Sequence, residues 1–463
     1  MPEKIVPIAF LPDGNAGVAR TCARAPTLYR PSEGQPPFQL CASGRRRFAA
    51  RPRTGAFAAE IAPDYSLRPM NAAPLRVLVE DRPLRKALTG VGNYIFQLLS
   101  LLPRFAPEIA ASPFMHTHLR RRDWRNPPAA RPEPAAPPRG DRRVPWLLRA
   151  TLEAGYGAAF RWHAGRYQLY HEPNHIPLIC RLPTVTTIHD LSVVLHPEWH
   201  PADRVRWYER QFQRGLRQSR HFIAASEFTR RQMCETFGIA PERITVTYQA
   251  PRPAFSPQPQ ADPPRSAASP RLTTVEGAAF LPPPGFFLYV GTLEPRKNVV
   301  GLLDAFRALP DSLRRTHPLL IAGSWGWKAQ QIRERLEERS LAGQVILLGY
   351  LGDHDLAALY RRCTAFVWPT WFEGFGLPPL EALACGAPVI VSDVASLPEV
   401  VGDAGLRLDP RDTDAWTAAM RRTAEDPELR TRLAAAGPIQ AARFSGERFV
   451  RDTVTAYRSA LEA

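Results

Sequence analysis

Phe287-Leu288-Tyr289-Val290, then Gly291-Thr292-Leu293-Glu294-Pro295-Arg296-Lys297-Asn298, then Val299 to Leu309: an apolar run, a polar turn and an amphipathic stretch follow one another without a break. A short unbroken apolar run containing aromatic and β-branched residues predicts a strand buried on both faces. The amphipathic stretch predicts a helix, so the unit reads strand, loop, helix. It repeats as Leu319–Ala322 with a helix Ala329–Glu338, Val345–Leu348 with Leu356–Arg362, and Ala365–Trp368 with Pro379–Ala384. Strands Val389–Val391 and Leu406–Leu408 complete the series. Such alternation predicts a parallel sheet covered by helices.

The same rhythm runs through the preceding half. Leu75-Arg76-Val77-Leu78-Val79-Glu80 reads as a strand, and the glycine loop Thr89-Gly90-Val91-Gly92-Asn93 opens a helix Tyr94–Leu102. Further strands are predicted at Tyr167–Tyr170, Val185–Ile188, Phe222–Ala225 and Ile244–Tyr248. Arg120 to Arg143, rich in Pro and Arg, reads as a long mobile loop. The predicted architecture is α/β: two doubly wound Rossmann-like domains, 70–255 and 285–445, facing across a cleft at the carboxyl ends of their strands. Residues 256–284 form a Pro-rich linker and 446–463 a C-terminal helix able to pack on either domain. Residues 1–69 keep neither helical nor strand periodicity and read as a disordered extension or a start assigned too early.

Composition narrows the class. Sixty Lys+Arg against 44 Asp+Glu leave a formal net charge of +16 over 463 residues, with 44% hydrophobic and 10% aromatic residues. That excludes wholesale disorder. No apolar run reaches the ~18 residues of a spanning helix, and Ile5 to Leu11 is too short for a signal core. Six cysteines without CxxC spacing argue against a zinc site or a disulfide scaffold. The expectation is a basic cytoplasmic protein. Only Lys4, Lys86, Lys297 and Lys328 are lysines, so Lys297 stands out among arginines.

Three strand-to-helix junctions carry more functional residue types than packing needs. Arg296 and Lys297 precede a helix N-terminus, where backbone N–H groups and two cations suit an anion. Trp371-Phe372-Glu373-Gly374-Phe375-Gly376-Leu377-Pro378-Pro379-Leu380-Glu381 places one carboxylate in a glycine turn and a second eight positions on. The glycines let backbone approach a ligand, and the carboxylates can divide labour between a reacting centre and sugar hydroxyls. The alternative is a proline-shaped helix cap with an acidic first turn. In the first domain, Thr186-Thr187-Ile188-His189-Asp190 ends a strand at the cleft; His189 is placed to donate to a hydroxyl or phosphate, its tautomer held by Asp190 or backbone. His171-Glu172-Pro173-Asn174-His175 is rejected as a metal site, because Pro173 and Pro177 forbid the helix that would bring its histidines together.

Taken together, Glu373 and Glu381 as an E-x7-E element, Glu294-Pro295-Arg296-Lys297-Asn298, Thr186 to Asp190, and Ala384-Cys385-Gly386-Ala387-Pro388-Val389 resemble the family 4 glycosyltransferases from Leu75 onward. These are retaining, nucleotide-sugar-dependent enzymes of the GT-B fold, and the flavour is that of bacterial O-antigen and exopolysaccharide mannosyltransferases. The resemblance implies that Arg296 and Lys297 clamp the donor diphosphate, which Gly90 approaches from the first domain. Glu373 then sits at the transferred sugar beside the N–H groups of Phe375, Gly376 and Leu377, while Glu381 holds the ribose and His189 contacts the sugar. Tyr350 and Leu351 lie near the base. It implies no metal and no cofactor beyond the nucleotide-diphosphate sugar, GDP- or UDP-linked, and front-side retention. Thr292 departs from the arginine that many members carry there, which leaves that load to Arg296.

The implied acceptor is a glycan or a polyprenyl-diphosphate-linked sugar. Arg206, Arg210, Arg214 and Arg217 recur near helical spacing beside Trp207 and Phe212, a basic face suited to peripheral contact with anionic headgroups at the inner membrane face. An Arg-rich solvated face reads equally well, and no nucleic-acid recognition module appears. The competing readings are a sugar-nucleotide epimerase and a nucleotide-sugar-binding protein of the same fold.

Overall fold

The computed structural model describes residues 73–463 except 86–87, 121–122, 126–145, 258–271 and 276. The expectations for residues 1–69 and for most of 120–143 lie outside these.

The first domain runs β1 (Leu75–Val79), α1 (Gly90–Phe105), β2 (Ile109–Pro113), α2 (Trp146–Ala164), β3 (Leu169–Glu172), β4 (Thr184–Ile188) and the short α3 (Ser192–Leu195). It continues with α4 (Ala202–Gln218), β5 (His221–Ala224), α5 (Glu227–Phe237) and β6 (Ile244–Val246). Its six strands are all parallel, in the order β2-β1-β3-β4-β5-β6. Val77, Leu78 and Val79 are fully buried, as strands covered on both faces require.

A small antiparallel hairpin, β7 (Leu272–Thr273) with β8 (Ala279–Phe280), follows. The second domain then runs β9 (Phe287–Val290), α6 (Val299–Ala308), α7 (Asp311–Thr316), β10 (Leu319–Ala322), α8 (Gln330–Leu336), β11 (Val345–Gly349) and α9 (Asp353–Arg362). Next come β12 (Ala365–Trp368), α10 (Leu377–Ala384), β13 (Val389–Ser392), α11 (Leu397–Val401) and β14 (Leu406–Leu408). Helices α12 (Thr413–Glu425), α13 (Pro427–Ala441) and α14 (Gly446–Glu462) close the chain. The second sheet is also parallel, ordered β11-β10-β9-β12-β13-β14. Strand order reverses between β9 and β12, and at such a switch point the loops leaving neighbouring strands diverge and open a crevice. Those two loops are 291–298 and 369–376, which hold Lys297 and Glu373.

Three expectations need correction. The glycine loop is already the first turn of α1, since the helix begins at Gly90 after the extended Thr89. β2 went unread because Ile-Ala-Ala-Ser-Pro offers no apolar run; as an edge strand it needs only β1 beside it. The stretch 256–284 is not wholly linker. Leu272 is buried in the second core and Val275 N donates to Leu347 O (3.0 Å), which fastens the hairpin beside β11.

The last helix returns to the first domain. Ser445 caps α14 through Arg448 N (3.1 Å), and Phe449, Val450, Val454 and Tyr457 join the core of α1 and β1. Tyr457 Oη and Thr187 Oγ1 each lie 2.8 Å from a ring nitrogen of the fully buried His171. Burial, with His189 nearby, pushes this imidazole down to about 3. A histidine held neutral in the fold but free to charge when unfolded stabilises above its unfolded value and loses that contribution as pH falls below it. Near pH 5 the expected cost from His171 is about 2 kcal/mol. Thermal unfolding at pH 7 and pH 5 should show the loss, and His171→Asn should shrink it; an unchanged gap would remove His171 from the acid sensitivity. Among the described residues no helix is long and apolar enough to cross a membrane.

Candidate active site

The loop after β9 delivers both cations inward. Asn298 adopts a left-handed φ of 52° and its Nδ2 donates to Pro410 O (3.1 Å), which seats the turn just before α6. Lys297 is 7% exposed; its Nζ donates to Glu373 Oε2 and lies 4.6 Å from the centre of the Trp368 ring. Burial, reinforced by Arg296, draws its ammonium below the usual lysine value despite Glu373. Arg296 donates from Nη2 to Glu294 Oε1 (3.0 Å) and from Nη1 to Phe372 O (3.1 Å). Its Nη1 also lies 3.5 Å from Glu373 Oε1 and 3.7 Å from Asp190 Oδ2 across the cleft. Two cations thus face three carboxylates, a poised charge balance that an incoming anion would have to break.

The glycine turn is held from behind. Ser396 Oγ lies 2.9 Å from Glu373 O and 2.8 Å from Phe375 O. Gly376 has φ +103°, open to glycine and strained for other residues. The N–H groups of Phe375, Gly376 and Leu377 make no hydrogen bond among the described residues and lie at the N-terminus of α10, where a negative charge is favoured. At Gly374 the backbones of the two domains pass with no room for a side chain. A Cβ there would lie 1.8 Å from His189 O and 2.8 Å from Asp190 Cβ. Thr229 at the start of α5 lies 3.2 Å from Gly374 O and 3.4 Å from His189 O through Oγ1, and so touches both sides. Glu399 of α11 caps the same helix, accepting from Glu227 N and Phe228 N at 3.0 Å.

His189 differs from its expected role. Its Nε2 lies 2.8 Å from the carbonyl of Pro173, which can only accept, so Nε2 carries the proton and Nδ1 is an acceptor. Burial lowers its basicity, which keeps the ring neutral. The tautomer is therefore fixed by backbone, and the ring accepts rather than donates. Asp190 instead accepts from Ser192 N (2.8 Å) and Oγ (2.6 Å) and faces Arg296. Burial would raise its carboxyl, but Arg296, His175 and these hydrogen bonds outweigh it and hold it ionised. His171 and His175 spend their ring nitrogens on Thr187, Tyr457, Tyr208 and the N–H of His189, which is a structural use.

At the far end of the crevice Glu381 is 2% exposed, and burial pushes it up to about 7 against the pull of Arg252. Tyr350 Oη donates to Leu88 O (3.0 Å), which brings the loop holding Tyr350 and Leu351 beside the α1 start at Gly90. A Cβ at Gly90 would meet nothing within 4 Å, so this helix start faces open space. On α4, Arg206, Arg210 and Arg217 are exposed, whereas Phe212 is stacked on Tyr208 in the core and does not share that face.

Residues 88–250 match the family model described as Glycosyltransferase Family 4, and residues 278–440 that described as Glycosyl transferases group 1. The O-antigen chain mannosyltransferase B of Escherichia coli is 35% identical over 394 residues, 83% of this chain and 100% of that protein. The chain belongs to glycosyltransferase family 4. Two solved structures share the GT-B fold of this glycosyltransferase. Sucrose-phosphate synthase from Thermosynechococcus elongatus aligns with TM-score 0.59 at 19% identity, covering 83% of this chain and 98% of that one. Anabaena HepE in complex with UDP-glucose aligns with TM-score 0.58 at 16% identity, covering 83% and 100%.

Within the glycosyltransferase, sequence reading missed the residues that act across the cleft: Arg252, Asp353, Thr229 and Glu399. Each is an ordinary polar residue in its own segment, and its partner across the cleft leaves no mark in local pattern.

Proposed function

We propose that this glycosyltransferase moves a hexose, mannose foremost, from a nucleotide-diphosphate sugar to a glycan or lipid-linked acceptor at the inner face of the cytoplasmic membrane, in cell-surface polysaccharide synthesis. What carries the reading is the Lys297–Glu373–Arg296 cluster at the β9/β12 switch point. The full-length match to an O-antigen mannosyltransferase supports the sugar.

In this reading the donor diphosphate takes Lys297 and Arg296 from Glu373, and the free N–H groups of Phe375, Gly376 and Leu377 share its charge. The displaced carboxylate then lies beside the sugar, where it stabilises positive charge developing as the glycosidic bond breaks. The cations stabilise the departing diphosphate, so no metal is required, and transfer should persist in EDTA. The acceptor hydroxyl attacks from the side the diphosphate leaves and passes its proton to the departing phosphate oxygen, which retains configuration. Nδ1 of His189 accepts a hydrogen bond from a sugar hydroxyl, and Glu381 accepts from the ribose.

A thermal-shift panel of the full chain with GDP, UDP, ADP and their sugar conjugates tests this. A ligand near 100 times its dissociation constant adds about 2.7 kcal/mol. Stabilisation by GDP and GDP-mannose is expected; a response to UDP alone would displace mannose, and no response from folded protein would overturn the donor reading. Lys297→Ala should weaken nucleoside diphosphate binding by roughly tenfold or more, since a charge-assisted contact is lost. Unchanged affinity by calorimetry would take Lys297 out of the site.

A further inference from the structure

Arg252 follows the last strand of the first domain, yet its guanidinium lies against the second. Nε and Nη2 donate to the same oxygen of Glu381, Oε1, at 2.9 and 2.8 Å. Nη1 donates to Asp353 Oδ1 and reaches Asn93 Oδ1 at 3.5 Å. The backbone carrying it is gripped by α1: Gln97 Nε2 donates to Ala250 O (2.8 Å) and accepts Ala250 N at Oε1 (3.3 Å). The Arg252 side chain is 14% exposed and that of Glu381 only 3%, while Oε2 of Glu381 accepts no hydrogen bond among the described residues.

We propose that Arg252 is the positioning residue of the donor site: contributed by the first domain, it fixes one oxygen of Glu381 and leaves the other to the ribose hydroxyls. This rests on the reading of Glu381 as the ribose acceptor. Two donors on one oxygen lock the carboxylate's rotamer and favour its charged form, and a carboxylate accepts from two hydroxyls where a carboxylic acid must spend one oxygen as a donor. Burial works against that charge, holding Glu381 near 7 even with Arg252 present. Asp353 also opposes it, and Tyr360 and Cys385 adjoin it; Arg252 is the cation that favours the ionised form. Because the guanidinium and the carboxylate come from different domains, the grip on the nucleoside is complete only when the domains are together. Asn93 ties the same guanidinium, and Gln97 the backbone two residues before it, to the helix whose start faces the donor phosphates.

The test compares wild type, Arg252→Gln, Arg252→Lys, Glu381→Gln and the double variant Arg252→Gln/Glu381→Gln as full chains, with GDP and UDP affinity followed by calorimetry between about pH 6 and pH 9. Circular dichroism and melting confirm that each is folded. Wild-type affinity should rise through neutrality as Glu381 ionises. Arg252→Gln should bind about tenfold more weakly at pH 7, with the deficit narrowing as pH rises, because the unpaired carboxyl ionises later. Loss of the Lys297 charge at high pH is common to all variants and cancels in the ratio. Lysine should restore part of the affinity, and the double variant should bind no worse than Glu381→Gln. A deficit independent of pH, or additive with Glu381→Gln, would overturn the proposal and leave Arg252 a packing residue. If wild type binds neither nucleotide, the donor reading fails first; if Glu381→Gln binds like wild type, the ribose role of Glu381 fails and Arg252 with it.

Discussion

Glu373→Gln is expected to abolish transfer while nucleoside diphosphate binding holds or tightens. The carboxylate is the counter-ion of Lys297 and lies 3.5 Å from Arg296, so in the empty enzyme it competes with the phosphates for both cations. Removing its charge leaves Lys297 without its hydrogen-bonded carboxylate and Arg296 with only Glu294 and Asp190, and an anion satisfies the buried ammonium better than water does. In the proposed reaction the same change takes negative charge from the place where the sugar becomes cationic, with an expected cost of roughly two to three orders of magnitude in turnover. Single-turnover rates with a mannosyl donor and calorimetric titration of GDP separate the two effects. Equal loss of rate and affinity would make Glu373 a structural brace of the turn instead.

Gly374→Ala should be nearly as damaging for a different reason. The added methyl would stand 1.8 Å from His189 O, a separation no non-bonded pair tolerates. The obstacle is backbone on both sides, so no side-chain rotation relieves it. Either the turn shifts, moving Glu373, or the domains part at Thr229 and Asp190. A displacement near 1 Å at a reacting centre costs on the order of a hundredfold in rate. Most of the fall should appear in turnover, with GDP binding reduced by no more than the roughly tenfold assigned to the Arg252 contact, because the cations and free N–H groups belong to the second domain. Wild-type turnover would show that the domains need not approach at Gly374.

How far the fold was legible depended on whether each element carries an apolar run. Central strands such as Phe287–Val290 and Ala365–Trp368 are covered on both faces, so apolar residues fill every position and their ends were read correctly. What escaped lacked such a run: β2 is Ile, Ala, Ala, Ser and Pro, and the hairpin strands hold two residues each, whereas the edge strands β6, β11 and β14 are apolar enough to be read. The candidate site divided in a similar way. Arg296, Lys297, Glu373 and Glu381 were visible because loops of their own segments hold them, with proline and glycine as local signals. The grip of Arg252 on Glu381 joins residues 129 positions apart, and that of Glu399 on Glu227 joins residues 172 apart; neither leaves a mark in local pattern. The accepting nitrogen of His189 was hidden for the same reason, since the carbonyl that sets it belongs to Pro173 on the neighbouring strand's loop.

The return of α14 to the first domain has a consequence for the order of events during synthesis. Residues 75–246 leave the ribosome early, but Phe449, Val450, Val454 and Tyr457 complete their core only about 200 residues later. At roughly 5–20 residues per second, that interval is about 10–40 s. Throughout it, the apolar side of α1 and the hydroxyl-seeking His171 stay uncovered while the second domain is still being made. The first domain is thus finished last, and a nascent chain stalled after Ser445 would present this open face to chaperones although nearly all of its own strands are in place.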